Sequence, residues 1–342
     1  MTVLWYRQRR LHLLTLEQTV PLALRPADDV TDKSRRIQER ADEAIRLSQT
    51  FQKFVPRQFV EHFAKHGSRT LELGHADEDE VAILFCDIRG FTGLSERMQP
   101  HELMKFLNSY FLRMNDPIHN NQGFIDKFIG DAIMALFDHP DGDAGDKATD
   151  AVNAALDLRS ALTTYNSHRA KSGYPAINVG IGIHFGPVIL GTVGSDDRMD
   201  TTVIGDSVNI ACRLEALAPV YGADIVISAQ VLETIGNKRT LHTRLIDWVR
   251  IKGRTAPLEI YEVLDHLSDD ARRARLATGS LIRQGVHSRM GQRWEEAMAH
   301  FARAQTLAPD DPVIAYHLKV CDQYRFQDIA ENWDGALPPV LQ

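Results

Sequence analysis

Residues 81–97 read VAILFCDIRGFTGLSER. Val81 to Cys86 carry no charge and have the length and composition of a buried strand, yet the run ends on a carboxylate, Asp87. By itself an aspartate at a strand end is ordinarily a turn or cap residue. A second stretch, DKFIGDAIMALF at 126–137, repeats the pattern: Asp131 follows Gly130 at what reads as a hairpin tip, again among apolar residues. Two carboxylates in partly apolar surroundings either take up protons or bind a cation. Oxygen ligands this few in number suit Mg²⁺ whose shell is completed by water and substrate phosphates.

Outward from these stretches, Val81 to about Leu264 alternates β, α, β, β, α, β, with further strands after it. HELMKFLNSYFLRMNDPIHN (101–120) predicts an amphipathic helix, and 144–170 a long helix with an apolar stripe through Ala151, Ala155, Leu158 and Leu162. INVGIGIHFGPVILGTVGS (177–195) reads as two Gly-bounded strands, GDSVNIACRLEALA (205–218) as a helix, and ADIVIS (223–228) and LIDWVRIKG (245–253) as strands. The economical reading is one α+β domain of ferredoxin-like βαββαβ character over 76–266.

The flanks differ in texture. The opening MTVLWYRQRRLHLLTLEQTVPLAL is interrupted by charges too early for a signal peptide; 1–30 reads as an N-terminal extension, docked or poorly ordered, with a membrane-surface amphipathic segment as the alternative. Within a helical linker at 31–75, residues 31–55 predict a helix capped by Thr31 or Asp32, with a short coiled-coil-like seam of Ile37, Ala41, Ala44 and Phe51, ended by Pro56. A second amphipathic piece, QFVEHFAKH, follows, and the charged GHADEDE (74–80) leads into the first strand. Residues 267–342 turn to charged helix, where Gly285, Ala297, Phe301, Ala304 and Pro309 resemble the pattern of a single tetratricopeptide repeat. One repeat cannot bury both its faces, so it packs on the preceding domain, on a symmetry mate or on a protein partner.

Composition bounds the partners. The chain has 342 residues, 44% of them apolar, and a net charge of −7, which gives no general attraction to nucleic acid. No run approaches the roughly 18 apolar residues of a membrane span. The three cysteines, Cys86, Cys212 and Cys321, are far apart and lack CxxC spacing, which fits a reducing cytoplasm and neither a disulfide framework nor a zinc site. No GxxxxGK[ST] loop occurs, so a P-loop ATPase reading has no support.

FCDIRGFT, KFIGDAIMALF, GIGIHFGPVILGTVGS and VIGDSVNIACRLE, in that order and spacing, resemble the class III adenylyl/guanylyl cyclase catalytic domain over about residues 80–265. The resemblance implies that Asp87, Asp131 and the backbone carbonyl of Ile88 hold two metal ions, Mg²⁺ or Mn²⁺, and that the backbone after Asp87 approaches the phosphates. It implies that Asn209 and Arg213, spaced i, i+4 on one helix face, orient the ribose and stabilise charge developing on the α-phosphate. Lys252 matches the family's phosphate-binding lysine, and Lys127 and Thr202 its base-selecting pair. Adenine offers an acceptor at N1 and a donor amine at C6, which a lysine and a hydroxyl complement; guanine presents the opposite pattern. Lys127 therefore implies ATP, and Thr202 resembles a threonine-bearing branch in which some members respond to bicarbonate. In the family the metal aspartates come from one subunit and Lys127, Thr202, Asn209, Arg213 and Lys252 serve the facing one, so a symmetric homodimer with two composite sites is implied. The expected function is an adenylyl cyclase making cyclic AMP and pyrophosphate. The alternatives are a guanylyl or mixed-specificity cyclase, against which Lys127 stands, and a catalytically silent nucleotide-sensing dimerisation module, against which the complete residue set stands.

Overall fold

The computed structural model describes residues 27–51, 76–139, 141–195, 197–251, 256–329 and 333–337. Residues 1–60 and 61–342 form separate units. The first contains α1 (Ala27–Phe51). This helix begins before the expected caps Thr31 and Asp32. Of the expected seam, Ile37, Ala41 and Ala44 are exposed on this helix. The QFVEHFAKH piece lies outside the described residues.

The second unit is built on an eight-stranded sheet of order β2-β3-β1-β4-β6-β8-β7, with β5 paired to β4. Its strands are β1 (Ala76–Ile88), β2 (Gly123–Ile129), β3 (Ala132–Phe137), β4 (Val179–Ser195), β5 (Arg198–Ile204), β6 (Ile225–Ser228), β7 (Thr243–Val249) and β8 (Leu258–Val263). The helices are α2 (Phe91–Ser95), α3 (Pro100–Asn120), α4 (Ala144–Lys171), α5 (Asp206–Leu217), α6 (Ala229–Ile235), α7 (Asp269–Met290), α8 (Trp294–Leu307) and α9 (Pro312–Tyr324). Among the described strands only β4 and β6 pair in parallel, besides a single parallel bridge from Val249 to Leu337. None of the described helices is long and apolar enough to cross a membrane.

Two expectations are corrected. The first strand starts at Ala76, inside the acidic lead-in, where Asp77, Glu78 and Asp79 pair with Leu190, Ile189 and Val188. The length of β4 provides the ladder, and Lys147 of α4 sits 3.1 Å from Asp79 to offset the charge. The 177–195 region is one 17-residue strand rather than two. Gly186 and Pro187 fall between the end of the β6 pairing at Ile183 and the start of the β5 pairing at Ile189, so the missing proline N–H breaks no ladder bond on that side.

One face of the sheet buries Leu84, Cys86, Ile133 and Ile183 beneath α3 and α4, whose Tyr110, Met114, Val152 and Leu158 are fully covered. A second core joins α5 (Ile210, Leu214, Leu217) and the β6–β8–β7 end of the sheet (Val226, Ile246, Ile260) to the C-terminal helices (Ile282, Phe301, Val313). The repeat-like helices are thus covered by the sheet of their own chain. Buried charges cross this junction. Arg244 of β7 bonds Glu262 at 2.8 Å and Thr278 of α7 at 3.0 Å, and reaches Asp311 at the head of α9. Arg289 of α7 and the hydroxyl of Tyr221 both donate to Asp247.

Candidate active site

Asp87 is the penultimate residue of β1, and Asp131 stands just after Gly130 in the β2–β3 turn, where φ of +66° suits glycine. The pairing of β1 with β3, Cys86 opposite Ile133, carries the turn to the end of β1. The two carboxylates converge on one donor: the Ile88 N–H lies 3.0 Å from Asp87 Oδ1 and 3.3 Å from Asp131 Oδ2. Burial, then the hydrogen bond and charge of Asp87, push the Asp131 carboxyl up to about 7. Two carboxylates this close without a counter-charge hold a proton between them, and a divalent cation relieves the same repulsion. Among the described residues no cluster of three or more His, Cys, Asp or Glu side chains stands ready to cage an ion. The pair therefore fits a cation that keeps water and substrate oxygens, as Mg²⁺ does.

Glu215 of α5 belongs to this electrostatic neighbourhood and carried no signal of its own in the sequence. Burial, then the charge of Asp87, push its carboxyl up to about 8, against the pull of Arg89. It comes close because α5 lies directly on β4: a Cβ on Gly182 would fall 2.1 Å from the Glu215 backbone nitrogen. The Cys86 thiol beneath Asp87 is fully buried and pushed up to about 12 by that burial, so it is inert.

Lys127 and Thr202, 75 residues apart, meet: Lys127 Nζ donates to Thr202 Oγ1 at 3.0 Å. Lys127 stands just past a bulge in β2, and Thr202 lies on β5 opposite Gly191. Around them Phe128, Ile129, Met199 and Ile204 are each about half exposed.

Asn209 and Arg213 lie on α5, exposed and half-buried respectively. Among the described residues neither has a hydrogen-bond or ion-pair partner. At 100° per residue, Arg213 and Glu215 point about 160° apart around the helix axis. Glu215 faces its own Asp87 and Asp131, so Asn209 and Arg213 lie on the other flank. One chain therefore brings Asp87 to Asp131 and Lys127 to Thr202, and leaves Asn209 and Arg213 joined to neither pair. Lys252 lies outside the described residues.

Residues 73–265 match the family described as the adenylate and guanylate cyclase catalytic domain. An adenylate cyclase of Anabaena cylindrica is 42% identical over 242 residues, covering 69% of this chain and 47% of its own. The terminal-differentiation-specific adenylate cyclase of Dictyostelium discoideum is 34% identical over 278 residues, covering 81% of this chain and 13% of its own. Among solved structures, the adenylyl cyclase CyaB from P. aeruginosa superposes with a TM-score of 0.51 at 32% identity, over 57% of this chain and 98% of that one. A bacterial light-regulated adenylyl cyclase does so at 0.60 and 25%, over 76% and 72%. The chain spans less than half the length of these two curated relatives. With the four motifs in place on this sheet, the chain belongs to the adenylate and guanylate cyclase catalytic domain family.

Proposed function

We propose that the chain is an adenylyl cyclase, converting ATP to 3′,5′-cyclic AMP and pyrophosphate at a homodimer interface. The observation that carries ATP over GTP is the Lys127–Thr202 hydrogen bond. It sets an ammonium donor beside a hydroxyl that can still accept, the complement of adenine N1 and its amine. Guanine would turn its N1–H toward the ammonium.

Asp87, Asp131 and the Ile88 carbonyl would hold two divalent cations, Mg²⁺ or Mn²⁺. Bound there, such ions would acidify the ribose 3′-hydroxyl and would neutralise charge on the departing pyrophosphate. The 3′-oxygen forms its bond to the α-phosphorus as the bond to the pyrophosphate oxygen breaks in line, and the hydroxyl proton passes to solvent. Arg213 donates to the α-phosphate oxygens as their charge grows, Asn209 holds the ribose, and Lys252 takes the β- and γ-phosphates. The homodimer reading is supported by the flank on which Asn209 and Arg213 lie and by the exposed apolar rim of Phe128, Ile129, Met199 and Ile204. A cytoplasmic setting rests on the three cysteines, all free.

Purified protein assayed with ATP and GTP, in Mg²⁺ and then Mn²⁺, with Asp87→Ala as blank, tests the reading. Cyclic AMP in preference to cyclic GMP, absent from the blank, is expected. Product from GTP in preference to ATP, or none from either, overturns it.

A further inference from the structure

In a regular strand, neighbouring side chains point to opposite faces of the sheet. Asp126 and Lys127 do not. The β2–β3 register runs from Ile125 opposite Ala135 to Lys127 opposite Met134, leaving Asp126 as an extra, unpaired residue. A bulge of this kind re-aims a side chain. Here it brings the Asp126 carboxylate to the ammonium of its own neighbour, with Oδ2 3.4 Å from Lys127 Nζ.

The Asp126 side chain is 1% exposed, and neither of its oxygens has a hydrogen-bond partner. A carboxylate so enclosed is costly unless a charge compensates it, and Lys127 is the compensating charge beside it. Burial raises the Asp126 carboxyl to about 6 while Lys127 pulls it down, so at neutral pH it is predominantly an anion. From β5, Asp200 faces it with a like charge.

We propose that Asp126 is a specificity-determining positioning residue, acting through Lys127: the charge of the bulge-directed carboxylate and the hydrogen bond to Thr202 Oγ1 together hold the Lys127 ammonium so that a free N–H meets the purine edge. An ammonium has three donors on a flexible four-carbon stem. Thr202 engages one at 3.0 Å, and the Asp126 carboxylate, 3.4 Å away without a hydrogen bond, holds the ammonium by its charge and narrows the directions open to the other two. Thr202 alone does not choose a purine, because a hydroxyl accepts from an adenine amine and donates to a guanine carbonyl equally well. The choice requires that Lys127 remain charged and stationary. Side-chain entropy surrendered to Asp126 before substrate arrives is not lost again on binding. The inference rests on the assignment of Lys127 to the adenine edge.

The test uses the 342-residue chain with Asp126→Asn, Lys127→Met and the double variant, measuring kcat and KM for ATP and for GTP. Asp126→Asn keeps the shape and removes the charge. It is expected to raise KM for ATP more than it lowers kcat, and to reduce the ratio of kcat/KM for ATP over GTP by about tenfold, the scale of one close ion pair partly screened by solvent. On the Lys127→Met background, Asp126→Asn is expected to change the ratio no further. Equal losses of kcat with both nucleotides, at an unchanged ratio, overturn the proposal and leave Asp126 a structural residue. The same holds if Asp126→Asn shifts the ratio as strongly with Lys127 already removed. If Lys127→Met itself leaves the ratio untouched, the assignment of Lys127 has failed and this inference with it, a result distinct from failure at Asp126 alone. Asp126→Ser, smaller and uncharged, gives the same reading if the asparagine variant does not fold.

Discussion

Gly182→Ala separates the placement of α5 from the chemistry of its side chains. Gly182 lies in β4 directly under the helix that carries Asn209 and Arg213. A Cβ built there would stand 2.1 Å from the Glu215 nitrogen, 2.5 Å from the Ala211 oxygen and 2.7 Å from the Glu215 Cα. All three are backbone atoms, so no rotamer change relieves the clash. Ordinary contact begins near 3.4 Å, and α5 must therefore retreat by about 1.3 Å. Misplacing catalytic groups by ~1 Å costs on the order of 10²-fold in rate. The strain of the extra methyl, about 1–3 kcal/mol, is less than the ~5–15 kcal/mol that holds a typical domain folded. The expected outcome is a folded protein whose kcat falls about 10²-fold, read from cyclic AMP production at saturating ATP alongside a thermal melt. Gly279→Ala in α7 is the control, since its Cβ would meet only Arg244 Cβ, at 3.5 Å, and activity near that of the parent is expected. A Gly182→Ala protein turning over within about twofold of the parent would refute the claim that the seat of α5 on β4 sets its catalytic geometry.

Other outcomes follow from the same structure. Asp131, raised from 3.8 to about 7, holds a proton in the cation-free fold that the unfolded chain has lost. Folded-state stability without cation should therefore fall as pH rises between those values, since the native state binds the extra proton there. A cation displaces that proton, so Mg²⁺ should raise the melting temperature more at about pH 7.5 than at about pH 5.5; an equal shift at both would contradict the assignment. Arg244→Met leaves Asp311, 2% exposed, without its buried cation and leaves Glu262, 0% exposed, with Arg275 alone. It should cost about 3–5 kcal/mol and lower Tm by on the order of 10 °C, read by differential scanning calorimetry; a loss under about 1 kcal/mol, typical of a surface pair, would argue against a buried junction.

The candidate carboxylates Asp87 and Asp131 were legible because their signal is local: an apolar run that ends in aspartate, and a Gly-Asp turn inside a second such run. Lys127 and Thr202 were reached through resemblance alone, since nothing in either neighbourhood announces a contact across 75 residues. The start of β1 was missed because Asp77, Glu78 and Asp79 have poor strand propensity, and it is the ladder offered by β4 that overrides it. The opposite error at Gly186 and Pro187 treated local breakers as decisive, although their place between two partner strands makes them harmless. Asp126 was invisible as a functional residue because a bulge lies in the pairing of two strands, not in either sequence. Buried arginines such as Arg244 and Arg289 were also hidden, because arginine is ordinarily a surface residue and only the folded C-terminal helices enclose them.

The central claim, that two copies of the chain complete one cyclase site, is tested most directly by mixing two dead proteins. On the proposed roles, Asp87→Ala removes a metal carboxylate, and Arg213→Ala removes a transition-state donor worth on the order of 10²–10³ in kcat. If each site takes Asp87 from one copy and Arg213 from the other, an equimolar mixture forms heterodimers in which one of the two sites is intact, and about a quarter of the parent's specific activity returns. A mixture shown to exchange subunits that remains as inactive as its components would place the whole site within a single chain and contradict the account.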